Sequence, residues 1–385
     1  MNLGAPSFTL RGVFDPPLHQ TGDSDPAFGA ALLAWFDGRG TQMAWRGSRD
    51  PYRIWLSEIM LQQTRVATVA PYYERFLARF PTIEALAGAP LDEVLKCWEG
   101  LGYYSRARNL HRLAKQIVAE RGGRFPETAE ELERLPGIGP YTAAAIASIA
   151  FDERVAVLDG NVIRILTRLL DLDEEVLSQR VENRLREEAA ARLPAARAGD
   201  YNQALMDLGR TICVPRRPAC GRCPVRGFCL AQQRGTAHLR PVKKRKGPLP
   251  VARAAAAVIR DAAGRVLLVQ RPMDGLLGGL WALPGGNCIA EESYADCLRR
   301  NLRQSLNIEI EIDGEMAAAT QDFTHFRLRL RAFACALVGG GPQPRKKTRF
   351  VWVSPRKLGK YSLGKADREI VESLDQWQPR LFEEP

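Results

Sequence analysis

The sequence lacks an uninterrupted apolar run of about 18 residues, the minimum length for a membrane-spanning helix. Its first residues also lack the basic segment and apolar core of a secretory signal peptide, so residues 1–25 are predicted to be a mobile leader. These two absences predict a cytoplasmic protein. In that reducing compartment, the eight cysteines are expected to be metal ligands or free thiols, not a disulfide framework.

The composition is that of a globular protein with an excess of positive charge. Of its 385 residues, 45% are hydrophobic and 26% are charged, which suits two or three folded domains. The net charge of +11 favours an anionic partner, nucleic acid first and a membrane surface second. A basic protein without such a partner has the same charge, so the composition alone leaves this open.

The first part of the chain, residues 26–232, has helical spacing of its apolar residues throughout. Residues 233–250 are polar, proline-bearing and basic, as in a linker. Helices are predicted at residues 54–70, 91–98, 108–120 and 201–212.

The second part, residues 251–385, predicts a smaller mixed α/β domain. Residues 254–271 predict two strands around an Ala-Ala-Gly turn, and residues 325–337 alternate as a strand does. A helix is predicted over residues 294–306. The fold class is therefore a multidomain α+β protein with an all-α first domain.

The stretch LPGIGPYTAAAIA, whose two glycines are Gly137 and Gly139, predicts a tight turn between two helices. Thr128 and Glu131 form a capping box for the first helix, and Pro140 suits the first position of the second. The glycines leave backbone N–H groups at a helix N-terminus, where a phosphate can bind. These residues alone support DNA binding and an ordinary helical corner about equally.

Two carboxylates have both a structural and a chemical interpretation. Asp159 ends an apolar run before a helix, which suits an N-cap and also a charge held beside a substrate. Glu58 lies within a helix on an apolar stripe with Ile54, Trp55 and Leu61. Burial there would raise the pKa of its carboxyl group, as a general acid requires. The position alone nevertheless favours a glutamate turned toward solvent.

Half of the cysteines form the pattern C-x6-C-x2-C-x5-C, at Cys213, Cys220, Cys223 and Cys229. Four thiolates at this spacing in a cytosolic protein predict a metal site. Tetrathiolate zinc and a [4Fe–4S] cluster both use four cysteines, so the pattern leaves both open. The other four are scattered and are interpreted as structural: Cys97, Cys288, Cys297 and Cys335.

Together these motifs resemble one group of DNA repair enzymes. The segment LPGIGPYT, the segment LDGNV and the cysteine pattern are similar to the endonuclease III superfamily of base-excision DNA glycosylases. WRGSRDPYRIWLSEIMLQQTRV, WEGLGYYSRARNLH and YNQALMDLG are similar to its adenine DNA glycosylase family, MutY. The resemblance covers residues 26–385. It implies a helix-hairpin-helix catalytic domain over 26–232, a [4Fe–4S] cluster at 213–229, and a monomer on duplex DNA in a bacterial nucleoid.

The resemblance also implies a mechanism. Adenine opposite 8-oxoguanine or guanine would be flipped from the helix, and its N-glycosidic bond would be hydrolysed. Glu58 would protonate N7 of adenine, and Asp159 would stabilise the oxocarbenium-like sugar by charge or by covalent attack. Related lyases have a lysine where this chain has Tyr141. Because a phenol cannot form a Schiff base, we expect base removal without strong strand cleavage.

Further site residues follow from the same resemblance. Tyr141 and Asn161 are expected to flank the two carboxylates. Trp45, Arg46 and Gln203 are expected to line the adenine pocket. Gln63 and Tyr103 are expected to wedge into the duplex, and Leu61 is expected to contact the substrate beside these residues.

The second domain resembles a Nudix fold that has lost its catalytic metal site. Gly286, Glu292 and Arg300 keep the spacing of the Nudix box. The positions of its magnesium-binding carboxylates hold Asn301, Gln304 and Ser305. Because Mg²⁺ needs hard carboxylate ligands, we expect the fold without the pyrophosphohydrolase activity.

The same resemblance assigns this domain the recognition of 8-oxoguanine. The family's Phe-Ser-His loop is matched by Phe323, Thr324 and His325, and threonine keeps the hydroxyl group. Core packing is the alternative for Phe323, and a surface position at a strand end is the alternative for His325. The basic residues 243–246 are expected to lie near DNA or, equally, to form a solvated charge run.

Two other functions compete with this interpretation. One is a bifunctional glycosylase and lyase, against which Tyr141 argues. The other is a catalytically silent sensor of DNA damage or redox state, against which the presence of both Glu58 and Asp159 argues.

Overall fold

The structure is a computed structural model that describes residues 26–39, 43–176, 178–243, 247–339, 341–343 and 349–374. The predicted leader and residues 244–246 of the basic run lie outside the described residues. The chain forms two compact units, neither of them continuous in sequence. The cysteine unit contains the described residues before position 41 and those from 147 to 244, and the mixed unit contains those of 41–146 and from 245 onward.

Most of the described chain before residue 240 is helical. The α-helices are α1 (Pro26–Asp37), α2 (Pro51–Leu61), α3 (Val66–Arg79), α4 (Ile83–Gly88), α5 (Leu91–Trp98), α6 (Ser105–Arg121), α7 (Ala129–Glu133), α8 (Pro140–Phe151), α9 (Gly160–Leu169), α10 (Gln179–Ala191), α11 (Ala198–Thr211), α12 (Leu230–Gln233), α13 (Tyr294–Leu306) and α14 (Lys365–Ser373). No helix in the described ranges has the length and apolar character that crossing a bilayer requires.

The predicted helix at residues 54–70 is wrong in one respect, because two helices replace it. Helix α2 ends at Leu61, and α3 begins at Val66. The buried guanidinium of Arg106 donates hydrogen bonds of 2.8, 2.9 and 2.5 Å to the carbonyls of Ile59, Met60 and Gln62. These bonds satisfy carbonyl groups at the end of α2 that have no partner within the helix. An arginine distant in sequence therefore stabilises the break.

The strands belong to the Nudix-like part of the mixed unit. They are β1 (Val251–Ile259), β2 (Val266–Gln270), β3 (Trp281–Ala282), β4 (Gly285–Asn287), β5 (Ile310–Asp322), β6 (Arg327–Leu337) and β7 (Phe350–Val353). One sheet has the order β4-β1-β6-β5 and the other β3-β2-β7, with β1 and β6 parallel. The predicted strand at 325–337 and helix at 294–306 are confirmed as β6 and α13. The two strands predicted within 254–271 are also present, although they lie in different sheets.

Strand β1 separates two apolar cores, because successive side chains of a strand point to opposite faces. Ala254, Ala256 and Val258 pack in the core that α14 covers. The alternate residues Ala255, Ala257 and Ile259 pack in the core that α13 covers, with Leu298 and Leu302 of that helix. Strand β1 is thus buried on both faces from Ala254 onward, which explains the continuous apolar run in its sequence.

The two sequence segments of the mixed unit are joined by polar contacts. Arg108 of α6 donates hydrogen bonds of 3.1 and 2.7 Å to the carbonyls of Gly275 and Gly278. Glu99 forms an ion pair of 2.7 Å with Arg368 of α14. The described helical residues of 41–146 and the Nudix-like sheets therefore belong to one compact unit.

Part of the predicted linker is held against the cysteine unit. The buried carboxylate of Asp171 forms ion pairs with Arg234 and Arg240 and accepts a hydrogen bond of 2.6 Å from the Thr236 hydroxyl. Val242 forms a β-bridge with Glu175. Residues 234–242 are thus anchored.

Candidate active site

The first candidate catalytic group, Glu58, is buried in the mixed unit. Asp50 caps α2 by accepting a 2.9 Å hydrogen bond from the Tyr52 amide, and Pro51 occupies the first turn. Glu58 lies two turns later with 4% of its surface exposed, and its Oε2 accepts a hydrogen bond from the Tyr141 hydroxyl. The preference of the sequence position for a solvent-facing glutamate is therefore wrong.

Tyr141 stands in the first turn of α8, immediately after the glycine turn. The Thr128 hydroxyl accepts a 3.3 Å hydrogen bond from the Glu131 amide, which confirms the predicted cap of α7. Gly137 has φ of +91°, a conformation that strains other residues. Both Gly137 and Gly139 are exposed, so their backbone is accessible at the start of α8. This geometry suits a phosphate contact at a helix N-terminus.

The second candidate group, Asp159, is the N-cap of α9 in the cysteine unit. Its Oδ1 accepts hydrogen bonds from the amides of Asn161 and Val162, at 2.9 and 2.7 Å. Its Oδ2 accepts a 2.7 Å hydrogen bond from the Asn161 side chain. Three donors therefore fix the half-buried carboxylate at the positive end of a helix.

A hydrogen-bonded chain connects Asp159 to the first cysteine of the predicted metal loop. Arg164, which is 8% exposed, donates a 2.9 Å hydrogen bond to the Asn161 side-chain oxygen. The same guanidinium donates 2.7 Å hydrogen bonds to the carbonyls of Gly209 and Cys213. A Cβ at Gly209 would lie 2.6 Å from Asn161, so this close approach requires glycine. Arg164 was not predicted as a site residue, although it lies in the same segment as Asp159.

The four-cysteine loop is supported by a second buried arginine. Arg168 is 2% exposed and donates a 3.2 Å hydrogen bond to Cys213 Sγ. It also donates hydrogen bonds of 2.9 and 3.1 Å to the carbonyls of Val214 and Pro215. This arginine was also missed, because its partners are distant in sequence.

The donor set of the loop fits a four-thiolate metal site. Cys213, Cys220, Cys223 and Cys229 are free thiols on one short segment. Tetrathiolate zinc and a [4Fe–4S] cluster both use four thiolates, so these residues alone fit either. The hydrogen bond that Arg168 donates to Cys213 Sγ suits a ligating thiolate in both cases.

The predicted pocket residues occur in both units. Trp45 is buried in the mixed unit and packs edge-on against Tyr73, with ring centroids 5.5 Å apart. Arg46 and Leu61 are partly exposed in the same unit. Gln203 lies on α11 of the cysteine unit and is 9% exposed.

The two predicted wedge residues lie in exposed turns of the mixed unit. Gln63 follows α2 with φ of +56°, and Tyr103 precedes α6 with φ of +48°. The Tyr103 ring is 42% exposed, and the Arg106 guanidinium lies 5.4 Å from its centroid. Arg106 therefore contacts both turns. Its segment carried the family resemblance, but this role was not visible in the sequence.

The predicted lesion-reading residues form the tip of the hairpin between β5 and β6. The Phe323 amide donates a 2.8 Å hydrogen bond to the Phe326 carbonyl, and their rings stack 4.6 Å apart. Thr324 and His325 at the tip are exposed. The hydroxyls of Thr324 and Tyr103 share a 2.8 Å hydrogen bond, which joins a predicted wedge residue to the predicted reader.

The Nudix box keeps its structural ion pair without its metal ligands. Arg300 donates 2.7 Å hydrogen bonds to both carboxylate oxygens of Glu292. Asn301 donates a 2.8 Å hydrogen bond to the Cys297 carbonyl, and Ser305 donates one of 2.7 Å to the Asn301 carbonyl. These side chains are bonded within α13 and offer no hard carboxylate to Mg²⁺.

Three sequence profiles match this chain. The HhH-GPD superfamily of base excision DNA repair proteins matches residues 56–191, the NUDIX domain matches 255–373, and the iron–sulfur binding domain of endonuclease III matches 213–229. A solved thermostable thymine-DNA glycosylase is 30% identical with a TM-score of 0.50, covering 54% of this chain and 96% of its own. These matches agree with a helix-hairpin-helix glycosylase fold, a [4Fe–4S] loop and a Nudix-like domain.

Two curated relatives cover most of the chain. The adenine DNA glycosylase of Rattus norvegicus is 36% identical over 369 residues, which cover 82% of this chain and 72% of the relative. That of Homo sapiens is 34% identical over 412 residues, which cover 92% and 75%. Since both relatives exceed 30% identity and are matched over more than two thirds of their length, the chain belongs to the adenine DNA glycosylase family, MutY.

Proposed function

We propose that this chain acts in base excision repair by hydrolysing the N-glycosidic bond of adenine paired with 8-oxoguanine or guanine in duplex DNA. The observation that carries the proposal is the buried Glu58 carboxyl group, hydrogen-bonded to a tyrosine in the first turn of a helix-hairpin-helix motif. Family membership supplies the adenine specificity, and the hairpin supplies a surface for the DNA backbone.

In this proposal Glu58 moves the proton. Its carboxylic acid form transfers a proton to N7 of the flipped adenine, which turns the base into a neutral leaving group. The resulting carboxylate then accepts a proton from the attacking water. The Tyr141 hydroxyl donates to Oε2 and orients the carboxyl group for both steps.

Asp159 provides a fixed negative charge. When the N-glycosidic bond breaks, positive charge develops on the deoxyribose. A carboxylate already held by two amides and the Asn161 side chain needs no reorganisation to stabilise that charge.

The reaction stops after base removal because Tyr141 carries no amine. A lyase step requires a nucleophilic nitrogen that forms a Schiff base with the opened sugar, and a phenol cannot do this. Hydrolysis by water leaves an abasic site in an intact strand.

The cysteine loop and the hairpin tip have supporting roles in this proposal. Cys213, Cys220, Cys223 and Cys229 hold the [4Fe–4S] cluster, which when bound gives the loop a fixed structure for contact with DNA. The exposed Thr324 and His325 read the base opposite adenine, with Tyr103 as the neighbouring wedge.

The direct test uses an end-labelled duplex with one central 8-oxoguanine·adenine pair, incubated with the protein and then split into samples with and without hot alkali. We expect strand breaks only after alkali. Breaks without alkali would show a lyase that uses another amine. No breaks in either sample, together with specific binding of the duplex, would support the silent sensor and contradict the proposal. A duplex with thymine in place of adenine is the control for base specificity.

A further inference from the structure

Two cysteines that are nine positions apart and were interpreted as structural come together with a carboxylate in the Nudix-like part of the mixed unit. Cys288 follows β4, Glu292 lies in the next turn and Cys297 lies in the first turn of α13. One ligand atom from each of these residues lies within 4.8 Å of the other two. Cys297 is fully buried, whereas the other two are partly accessible.

We propose that Cys288, Glu292 and Cys297 form a binding site for a divalent cation of the zinc type. Two thiolates and one carboxylate oxygen supply three ligands, and a water molecule completes the tetrahedron. Soft thiolates select Zn²⁺ over Mg²⁺, so the site has a different preference from the Nudix magnesium site. The positions of that magnesium site hold amides and a hydroxyl in this chain.

The distances require only a small adjustment. A Zn–S bond of about 2.3 Å in a tetrahedron places two sulfurs about 3.8 Å apart. A spread of at most 4.8 Å contracts to this value with a shift of about 1 Å. Rotation of the Cys288 side chain supplies such a shift, because this residue lies in a turn beyond the end of β4.

The charges around the group also fit a dication. Arg300 balances the Glu292 carboxylate through two 2.7 Å hydrogen bonds, and the Ile289 amide donates a third hydrogen bond of 3.1 Å. Two thiolates then balance the two charges of the metal ion. An outer partner that orients a ligating carboxylate is a common feature of protein metal sites.

A Cys288–Cys297 disulfide is the alternative use of the same thiol pair. Both cysteines are free thiols in this structure, and a disulfide makes no use of the Glu292 oxygen that lies within 4.8 Å of both sulfurs. Metal binding uses all three groups. It replaces each thiol proton within the site and releases it to solvent.

The site would fix the turn between β4 and α13. This turn contains Ile289, which is 61% exposed, and Ala290, which has φ of +31°. A metal ion bound to Cys288 and Cys297 would tie the turn to the buried face of α13, stabilising the Nudix-like sheets without entering the glycosylase reaction.

The test is a titration with Co²⁺ under anaerobic conditions. It uses the full-length protein with its iron–sulfur cluster intact and its thiols reduced. We expect one equivalent to produce the visible bands of tetrahedral thiolate-bound Co²⁺, and we expect Zn²⁺ to remove them. Difference spectra against the metal-free protein separate these bands from the cluster absorption, which should stay unchanged.

The variants make the assignment specific. Cys288→Ser, at a partly accessible turn, should weaken Co²⁺ binding at least tenfold, and Cys297→Ser should do the same. Cys97→Ser, which changes a half-buried cysteine of α5, should bind as the unaltered chain does. Absence of the bands, or equal binding by Cys288→Ser, would overturn the proposal. Detection of a Cys288–Cys297 disulfide would also overturn the proposal if the protein does not bind Co²⁺ after the disulfide is reduced.

Discussion

The two candidate catalytic carboxylates occupy opposite kinds of environment. Glu58 lies inside helix α2, is almost fully buried and meets the hydroxyl of Tyr141, a group that can donate or accept a proton. Asp159 lies at the start of helix α9, is half-buried and meets three N–H groups that can only donate. The hydroxyl beside Glu58 can serve as donor or acceptor, whereas the N–H groups around Asp159 hold its carboxylate in one orientation.

This difference separates two tasks. A general acid must hold a proton and release it, so it needs an environment that tolerates both forms. A group that stabilises a developing cation must stay charged and must not move. We therefore propose Glu58 for proton transfer and Asp159 for electrostatic stabilisation, and substitution of either residue should remove one task and leave the other.

Glu58→Gln should have the largest effect. Glutamine keeps the size of the side chain and an oxygen that accepts from Tyr141, but it cannot donate an acidic proton. Because general acid catalysis contributes about 10²–10⁴-fold, we expect single-turnover excision of adenine to slow by about 10⁴-fold with duplex binding retained. Glu187→Gln, an exposed residue of α10, is the matched control. Retention of the full excision rate in Glu58→Gln would refute the proposed mechanism.

Asp159→Asn should have the next largest effect. Asparagine is as good an N-cap as aspartate, so the fold of α9 should persist while the charge is removed. We expect a loss of about 10²–10³-fold in the excision rate, as for other removed electrostatic contacts in active sites. Thermal unfolding should change little in Asp159→Asn. If the rate is unchanged in this variant while Asp159→Ala unfolds at lower temperature, the residue is only a helix cap.

The contrast between these residues also shows what sequence can predict. The N-cap at Asp159, the capping box at Thr128 and helix α13 depend on neighbours within a few positions, and each was predicted. The burial of Glu58 depends on how α2 packs, and its local sequence position favoured a solvent-facing side chain, which is wrong. The break after Leu61 depends on Arg106, and the meeting of Cys288 with Cys297 depends on the turn that joins a strand to a helix. Long-range contacts of this kind leave no periodic signal.

Tyr141→Phe should have a moderate effect on the excision rate, through the orientation of Glu58. The substitution keeps the ring and removes the hydroxyl that donates to Oε2. A hydrogen bond to a charged group contributes about 1.5 kcal/mol, which corresponds to about a tenfold loss in excision rate. The measurement is single-turnover excision at saturating protein. An unchanged rate would show that the hydroxyl does not orient Glu58, whereas a loss as large as that of Glu58→Gln would give Tyr141 a more direct part in proton transfer.

Thr324 should affect the choice of substrate and leave both carboxylates untouched. Thr324→Val keeps the shape of the side chain and removes the hydroxyl that bonds Tyr103 at the exposed hairpin tip. A hydrogen bond of this kind contributes about 1 kcal/mol, so we expect about a fivefold loss in the preference for 8-oxoguanine·adenine over guanine·adenine. Thr324→Ser keeps the hydroxyl and should keep the preference. Competition between the two duplexes in one reaction measures this ratio directly. An equal ratio in Thr324→Val and the unaltered chain would show that the hydroxyl takes no part in lesion recognition. An equal slowing on both duplexes would assign Thr324 to DNA positioning.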